Sequence, residues 1–343
     1  MTPKKWHVLA AGAAVLLVAT GCSSSASKPD TPASAGSGGS TGQSTKVTIA
    51  IPANSAAASF IQLAVAAGLT SKNGLDVSLN TSIPPANTPA ALVSGSIQAA
   101  ALTSTATQAN GKGIPVINVV NTGTHAPFVM LGAPGLKQIS DLAGKSVVTS
   151  APTDTPGTET QHILQNAGIV DQVKIIPVAS VTGRSALFNS GKADAIYEAL
   201  NLALQDAAKR PGSTIIGDNQ SLPDTPADGL SVTKAFLASN QTTVMGLVKA
   251  CMQASNMMKN QPATATPYLE KIYNLNADQV KQFLDLQAKM LVVTGQPTEA
   301  AYANQADLFN KQPNQKIQWT EAKVAASWDT TLAAQADKDL NFS

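Results

Sequence analysis

Cysteine is close to absent from this 343-residue sequence, which holds two, Cys22 and Cys251. Cys22 lies in a leader-like segment, so Cys251 has no partner and the folded body can close no internal disulfide, even in an oxidising compartment that would preserve one. Of three histidines, only His125 and His162 lie beyond the leader. They are far apart in sequence and have a single thiol for company, which argues against a His/Cys metal site. Aromatic residues make up 4% of the chain, too few to build a stacking cage for a flat ligand. Charged residues are 13%, the net charge is +2 and no Lys/Arg cluster occurs, which argues against a nucleic-acid surface. No apolar run reaches the roughly 20 residues that a membrane-spanning helix needs. A nucleophile elbow, a phosphate loop and a dinucleotide fingerprint are all missing. No enzymatic activity, cofactor or metal is therefore expected.

What the chain does have begins with Lys4 and Lys5, an apolar run over residues 8–18, and the small residues Ala19, Thr20 and Gly21 ahead of Cys22. This order reads as a secretion signal over residues 1–21. Its last residues with Cys22 resemble the lipobox of bacterial lipoproteins, which implies a lipid on the Cys22 thiol and a chain anchored outside the cytoplasm on the cell membrane. A plain cleaved signal is the alternative. Residues 22–45 are Ser/Gly/Ala/Pro-rich. Such a tract cannot bury enough surface to offset the roughly 1 to 2 kcal/mol per residue that ordering a backbone costs. It reads as a leash with an end-to-end distance on the order of 25 Å.

The remaining stretch of about 300 residues, one large domain or two moderate ones, contains an internal repeat. KVTIAIPANSAAASFIQLAVAAGL (46–69) and KSVVTSAPTDTPGTETQHILQNAGI (145–169) share one outline: Lys, a β-rich run, a polar loop with Pro, a helical run, then Ala-Gly-apolar. Gly68 and Gly168 stand where a helix end favours positive φ. A second β-rich run follows each, and AALVSGSIQAAALTST (90–105) and ALFNSGKADAIYEAL (186–200) add a further helix end and strand. Each half is thus β-α-β-α-β, whose strands pair in parallel through right-handed crossovers into an open α/β sheet. Beyond Val232 the chain reads as helical, with Val244, Leu247, Val248, Cys251, Met252 and Met258 on one core-facing stripe. The expected assembly is α/β and two-lobed. Residues 46–131 and 232–343 form lobe 1, residues 132–231 form lobe 2, and the C-terminal helices pack on lobe 1. Two crossings near residues 128–135 and 229–233 make a hinge, and ligands of such sheets bind beyond the carboxyl ends of the strands.

ISDLAGKSVVTS (139–150) with Gly157 and Thr158 after it, ALFNSGKADAIYEA (186–199) and NGLDVSL (73–79) follow one another in order. Together they resemble the type II periplasmic substrate-binding proteins of ABC importers, in the branch of nitrate, alkanesulfonate, taurine and thiamine-pyrimidine receptors. That resemblance implies a monomeric receptor that captures a small solute between its lobes and presents it to a permease and its ATPase. A lipoprotein sensor docking on a signalling partner, or a pyrimidine-biosynthesis enzyme of the same fold, are the alternatives.

The loops at the strand ends supply the site candidates. Asn54 and Ser55 precede the first helix of lobe 1, and Thr155, Gly157 and Thr158 open the first helix of lobe 2. Helix N-termini carry unpaired N–H groups and partial positive charge, so two of them facing one cleft suit a small anion such as a sulfonate; alternatively these residues only cap their own helices. Thr103, Ser104 and Thr105 are expected to end the third strand of lobe 1. The resemblance places Tyr197 and Glu198 at the matching end in lobe 2, where Glu198 either accepts a hydrogen bond from the ligand or faces solvent. Arg184 either pairs with a ligand anion or anchors its own helix. Phe128 is a candidate apolar wall, whereas Phe60 reads as core.

Overall fold

The structure, a computed structural model, describes residues 44–53, 55–152, 154–312 and 315–342. The signal, Cys22 and nearly all of the leash lie outside the described residues. In chain order the first part comprises β1 (Thr45–Ala50), α1 (Ser59–Ala66), α2 (Leu69–Lys72), β2 (Leu75–Asn80), α3 (Thr88–Val93), β3 (Ala99–Ala100), α4 (Thr103–Gly111) and β4 (Val116–Asn121). Then follow β5 (Phe128–Gly132), β6 (Ser146–Thr149), α5 (Thr155–Asn166), β7 (Lys174–Pro177), α6 (Val181–Asn189), β8 (Ala195–Ala199), α7 (Leu200–Lys209) and β9 (Thr214–Asp218). β10 (Gly229–Thr233) leads into the helices α8 (Lys234–Ser239), α9 (Gln241–Asn260), α10 (Pro262–Tyr273), α11 (Ala277–Gln287), α12 (Glu299–Asn310), α13 (Glu321–Ala325) and α14 (Thr331–Leu340).

Two five-stranded sheets result, in the orders β2-β1-β3-β10-β4 and β7-β6-β8-β5-β9. In the first, β1 is parallel to β2 and β3, while β10 runs antiparallel between β3 and β4. The second repeats the scheme, with β6 parallel to β7 and β8 and with β5 antiparallel between β8 and β9. The repeat read from the sequence is therefore a repeat of topology. Gly68 and Gly168 take φ values of 69° and 70°, the left-handed stop that their position after a helix requires.

The lobe boundaries differ from expectation. FVMLG and GLSVT are the strands β5 and β10, and each pairs in the sheet after the crossing, not before it. The crossings accordingly fall at residues 122–127 and 219–228, a few residues ahead of those read from the sequence. An antiparallel exchanged strand has the same side-chain alternation as a parallel one, so the pattern along the chain does not say which sheet accepts it.

Packing follows from burial. All six residues of β4 and all five of β8 are buried. β4 sits at a sheet edge, yet the C-terminal segment covers it: Asn118 N donates to Ser327 O at 2.9 Å and accepts through its own carbonyl from Asp329 N at 2.9 Å. One apolar cluster joins Ile49, Val119 and Leu230 of the first sheet to Val129, Val148 and Ile196 of the second, with Phe60, Leu200, Leu204, Leu247 and Cys251. Phe60 and Cys251 are core residues, as their helical spacing predicts. Burial also pushes the Cys251 thiol's pKa up, which leaves it protonated and inert.

Candidate functional site

The carboxyl ends of the two sheets meet. Asn201, in the first turn of α7 just past β8, accepts a hydrogen bond at Oδ1 from the Ala56 N–H just past β1, at 2.9 Å and buried. Beside it, Gln205 of α7 donates to Tyr273 O at 2.6 Å, and Gln279 donates to Leu204 O at 2.8 Å, so α7 is gripped by the helices of lobe 1. The Tyr273 hydroxyl lies 2.6 Å from Gln62 Oε1 and 3.5 Å from Ser55 O, at the same strand ends.

Beneath the lobe 2 helix start lies a buried polar group built on Glu159 of α5. The Tyr197 hydroxyl donates to its Oε2 at 2.7 Å, and Asn219 Nδ2, which also donates to Ala126 O at 2.8 Å, reaches its two oxygens at 3.3 and 3.4 Å. Burial raises Glu159 from the ordinary 4.5 to about 7, against the lowering effect of those two donors. Asp228, the residue before β10 and 8% exposed, has no hydrogen-bond partner for its carboxyl among the described residues. Burial, and then the charge of Glu159, hold it well above the usual range of an aspartate. The two crossings are tied to the same place, because the Thr103 hydroxyl donates to Ala227 O and His125 Nε2 lies 3.0 Å from Leu222 O. His125, Glu159 and His162 line a cavity of about 60 Å³ with Leu222, Asp307 and Lys311. The histidines that are distant in sequence are thus neighbours in the fold. Among the described residues no group of His, Cys, Asp and Glu could hold a metal ion, and no helix is long and apolar enough to cross a membrane.

A model of the family described as NMT1/THI5 like matches residues 57–265, which run from the first helix of lobe 1 through lobe 2 and into α10. The chain belongs to the NMT1/THI5-like family. A search of curated proteins returns no match. Among solved structures, the alkanesulfonate-binding protein SsuA from Xanthomonas axonopodis pv. citri is 16% identical, covers 84% of this chain and 99% of its own, and superposes with a TM-score of 0.66. The periplasmic nitrate-binding protein NrtA from Synechocystis PCC 6803 is 14% identical, with 88% and 90% covered and a TM-score of 0.64. The desulfurization enzyme DSZB is 14% identical, with 86% and 99% covered and a TM-score of 0.59. At these identities the likeness is one of fold, and it bears out the two-lobed type II architecture read from the sequence.

In this NMT1/THI5-like fold the residues singled out from the sequence fall as follows. Asn54 lies outside the described residues. Ser55 caps the short 3-10 turn before α1, its Oγ accepting from Ala57 N at 3.3 Å. Thr103, Ser104 and Thr105 do not end a strand: β3 stops at Ala100, and the three residues form the first turn of α4, which no side chain caps. The strand is short because Ala100 is the last residue that β1 and β10 both pair. Phe128 opens β5 half-buried, its ring stacked on Tyr197 with centroids 5.9 Å apart.

Thr155 is the first residue of α5, whose N-cap is Asp154, accepting from Gly157 N at 3.2 Å. Thr158 is buried and donates to Pro152 O at 3.2 Å. Gly157 is glycine for lack of space, because a Cβ there would collide with the Ala151 carbonyl. Arg184 takes the anchoring role: Nη1 donates to Val178 O at 2.9 Å and Ala179 O at 3.1 Å, just ahead of its own helix. Tyr197 and Glu198 are both fully buried, so Glu198 does not face solvent. Its carboxyl oxygens have no hydrogen-bond partner, and burial followed by the nearby Asp206 raises its pKa well above normal.

Sequence reading missed Glu159, Asn201, Asn219 and Asp228. Glu159 lies one helical turn past Thr155, on a helix already flagged, which is a signal of sorts. Asn201, Asn219 and Asp228 sit next to strand ends with no motif around them, and only the meeting of the two sheets gives them a role.

Proposed function

We propose that this protein is the extracytoplasmic solute-binding lipoprotein of an ABC importer, capturing a small organic solute between its lobes and delivering it to the permease and ATPase. The observation that supports the reading is the Ala56–Asn201 hydrogen bond, which joins the loop after β1 to the turn after β8 at 2.9 Å and so brings the strand ends of the two sheets together. Family membership supports it, as do the names of the sulfonate- and nitrate-binding neighbours. In the proposed cycle the open form exposes both half-sites, a solute binds one of them, and contacts available only when both lobes touch it shift the population to the closed form. Ser55, Thr103, Ser104, Thr105, Phe128, Thr155, Gly157, Thr158, Tyr197 and Asn54 are its proposed neighbours, with Arg184 and Glu198 holding the wall behind them. Cys22 carries the lipid, residues 22–45 give the body slack, and the protein acts as a monomer at the cell surface.

The test is a thermal-shift screen against sulfonates, nitrate, pyrimidines, aromatic acids and amino acids, repeated on a variant whose hinge is locked open by a disulfide between the facing rims. A solute at 100 times its dissociation constant adds about 2.7 kcal/mol of stability. The open-locked variant should lose that gain; an unchanged gain rules out a shared cleft.

A further inference from the structure

At three of the helix starts, donors that would hold an anion are already engaged. At the lobe 1 helix start, Ala56 N is bonded to Asn201 Oδ1, Ala57 N to Ser55 Oγ and Ala58 N to Ser55 O. At the lobe 2 start, Gly157 N is bonded to Asp154 Oδ1 and Thr158 N to Asp154 O. The next helix, α6, spends Gly183 N on Ser180 Oγ and Arg184 N on Ser180 O. The guanidinium of Arg184 is bonded to two carbonyls of its own loop and feels the charge of Glu198 beside it.

Acceptors are in the opposite condition. Asp228 stands at the carboxyl ends of the first sheet, since β10 begins opposite Asn121, the last residue of β4. Asp228 is more than nine-tenths buried, and its carboxyl has no hydrogen-bond partner among the described residues. Its backbone carbonyl accepts from Thr122 N of the other crossing at 2.8 Å, and Asn219, at the start of its own crossing, bonds both Ala126 O and Glu159 of lobe 2, so Asp228 lies on the junction of the lobes. A buried carboxyl without a donor is costly unless a partner completes it. Glu159 across from it is acidic too, so a completing group that also relieves their repulsion is positive.

We propose that the interlobe site takes an organic cation, a primary ammonium or an amidinium whose N–H groups are received by Asp228 from lobe 1 with Glu159 of lobe 2 behind it. This rests on the solute-binding reading and names the class of its solute. The cation is bound by both lobes and therefore draws them together, the role that an anion on two helix N-termini would otherwise play.

Isothermal titration of the full chain with butylamine and benzamidine, against butanesulfonate, benzenesulfonate and nitrate, tests it. The two cations should bind and the three anions should not. Asp228→Asn, an isostere that cannot ionise when a cation arrives, should weaken the cations at least tenfold, and Glu159→Gln more mildly; the second variant keeps the test alive if the first folds poorly. Anions binding in place of cations overturn the inference and leave the solute-binding reading intact. Cations that bind both variants as tightly as the unaltered chain overturn it as well. If neither class binds, the inference falls, and the thermal-shift screen with neutral solutes decides the solute-binding reading by itself.

Discussion

Glu159 should make the protein less stable as the pH rises through neutrality. Its carboxyl is buried and raised from 4.5 to about 7. Below pH 4.5 the folded and unfolded chains both hold the proton, and the group contributes no penalty. Between 4.5 and about 7 the folded state alone keeps it, so folding takes up a proton and stability falls with rising pH. Above 7 both states are ionised and the full penalty applies. At about 1.4 kcal/mol per pH unit, the rise amounts to about 3 kcal/mol. Glu159→Gln removes the titration while keeping an oxygen for the Tyr197 hydroxyl; its amide then meets the Asn219 amide, donor against donor, at a cost of about 1 kcal/mol. Urea unfolding at pH 5 and pH 8 reads the outcome. The variant should be level with or slightly below the unaltered protein at pH 5 and above it by about 2 kcal/mol at pH 8. Asp228 slopes the same way and remains in both proteins; without the charge of Glu159 its rise is smaller, so the difference between them reports Glu159 together with its coupling to Asp228. Parallel curves for the two proteins would refute the argument.

Other perturbations follow from the same geometry. Asn201→Ala leaves the Ala56 N–H buried without an acceptor, a loss of about 1 to 3 kcal/mol for the closed arrangement; hydrogen exchange at the Ala56 amide should quicken, and unchanged protection would count against the contact. Gly157→Ala forces a methyl onto the Ala151 carbonyl and should cost roughly 1 to 3 kcal/mol, read as a lower unfolding temperature. Cys251, fully buried with its thiol pKa raised, should resist alkylation by iodoacetamide in the native protein and react only after unfolding, with mass spectrometry locating the label.

Much of the fold was legible because it is written in local periodicity. The two Lys-strand-loop-helix-Gly units at 46–69 and 145–169 became β1-α1 and β6-α5, with Gly68 and Gly168 in the conformation their positions demand. Phe60 and Cys251 could be placed in the core for the same reason, since side chains three and four apart share a helix face. The crossings were misplaced by a few residues because β5 and β10 look like any other strand until a partner is known.

The site was legible only as a region. Ser55, Thr155 and Thr158 are at helix starts in sequence and in structure, yet what those starts can bind depends on acceptors far away in the chain. Asn201 lies 145 residues from the amide it fills, and Glu159 lies 60 from the asparagine that holds it. The sequence by itself determined the two α/β units, their order and their apolar faces, because these depend on residues within a few positions of one another. Only the tertiary structure decided which polar groups are satisfied and which remain open, because burial and hydrogen bonding at the strand ends are set by whichever distant segment arrives there.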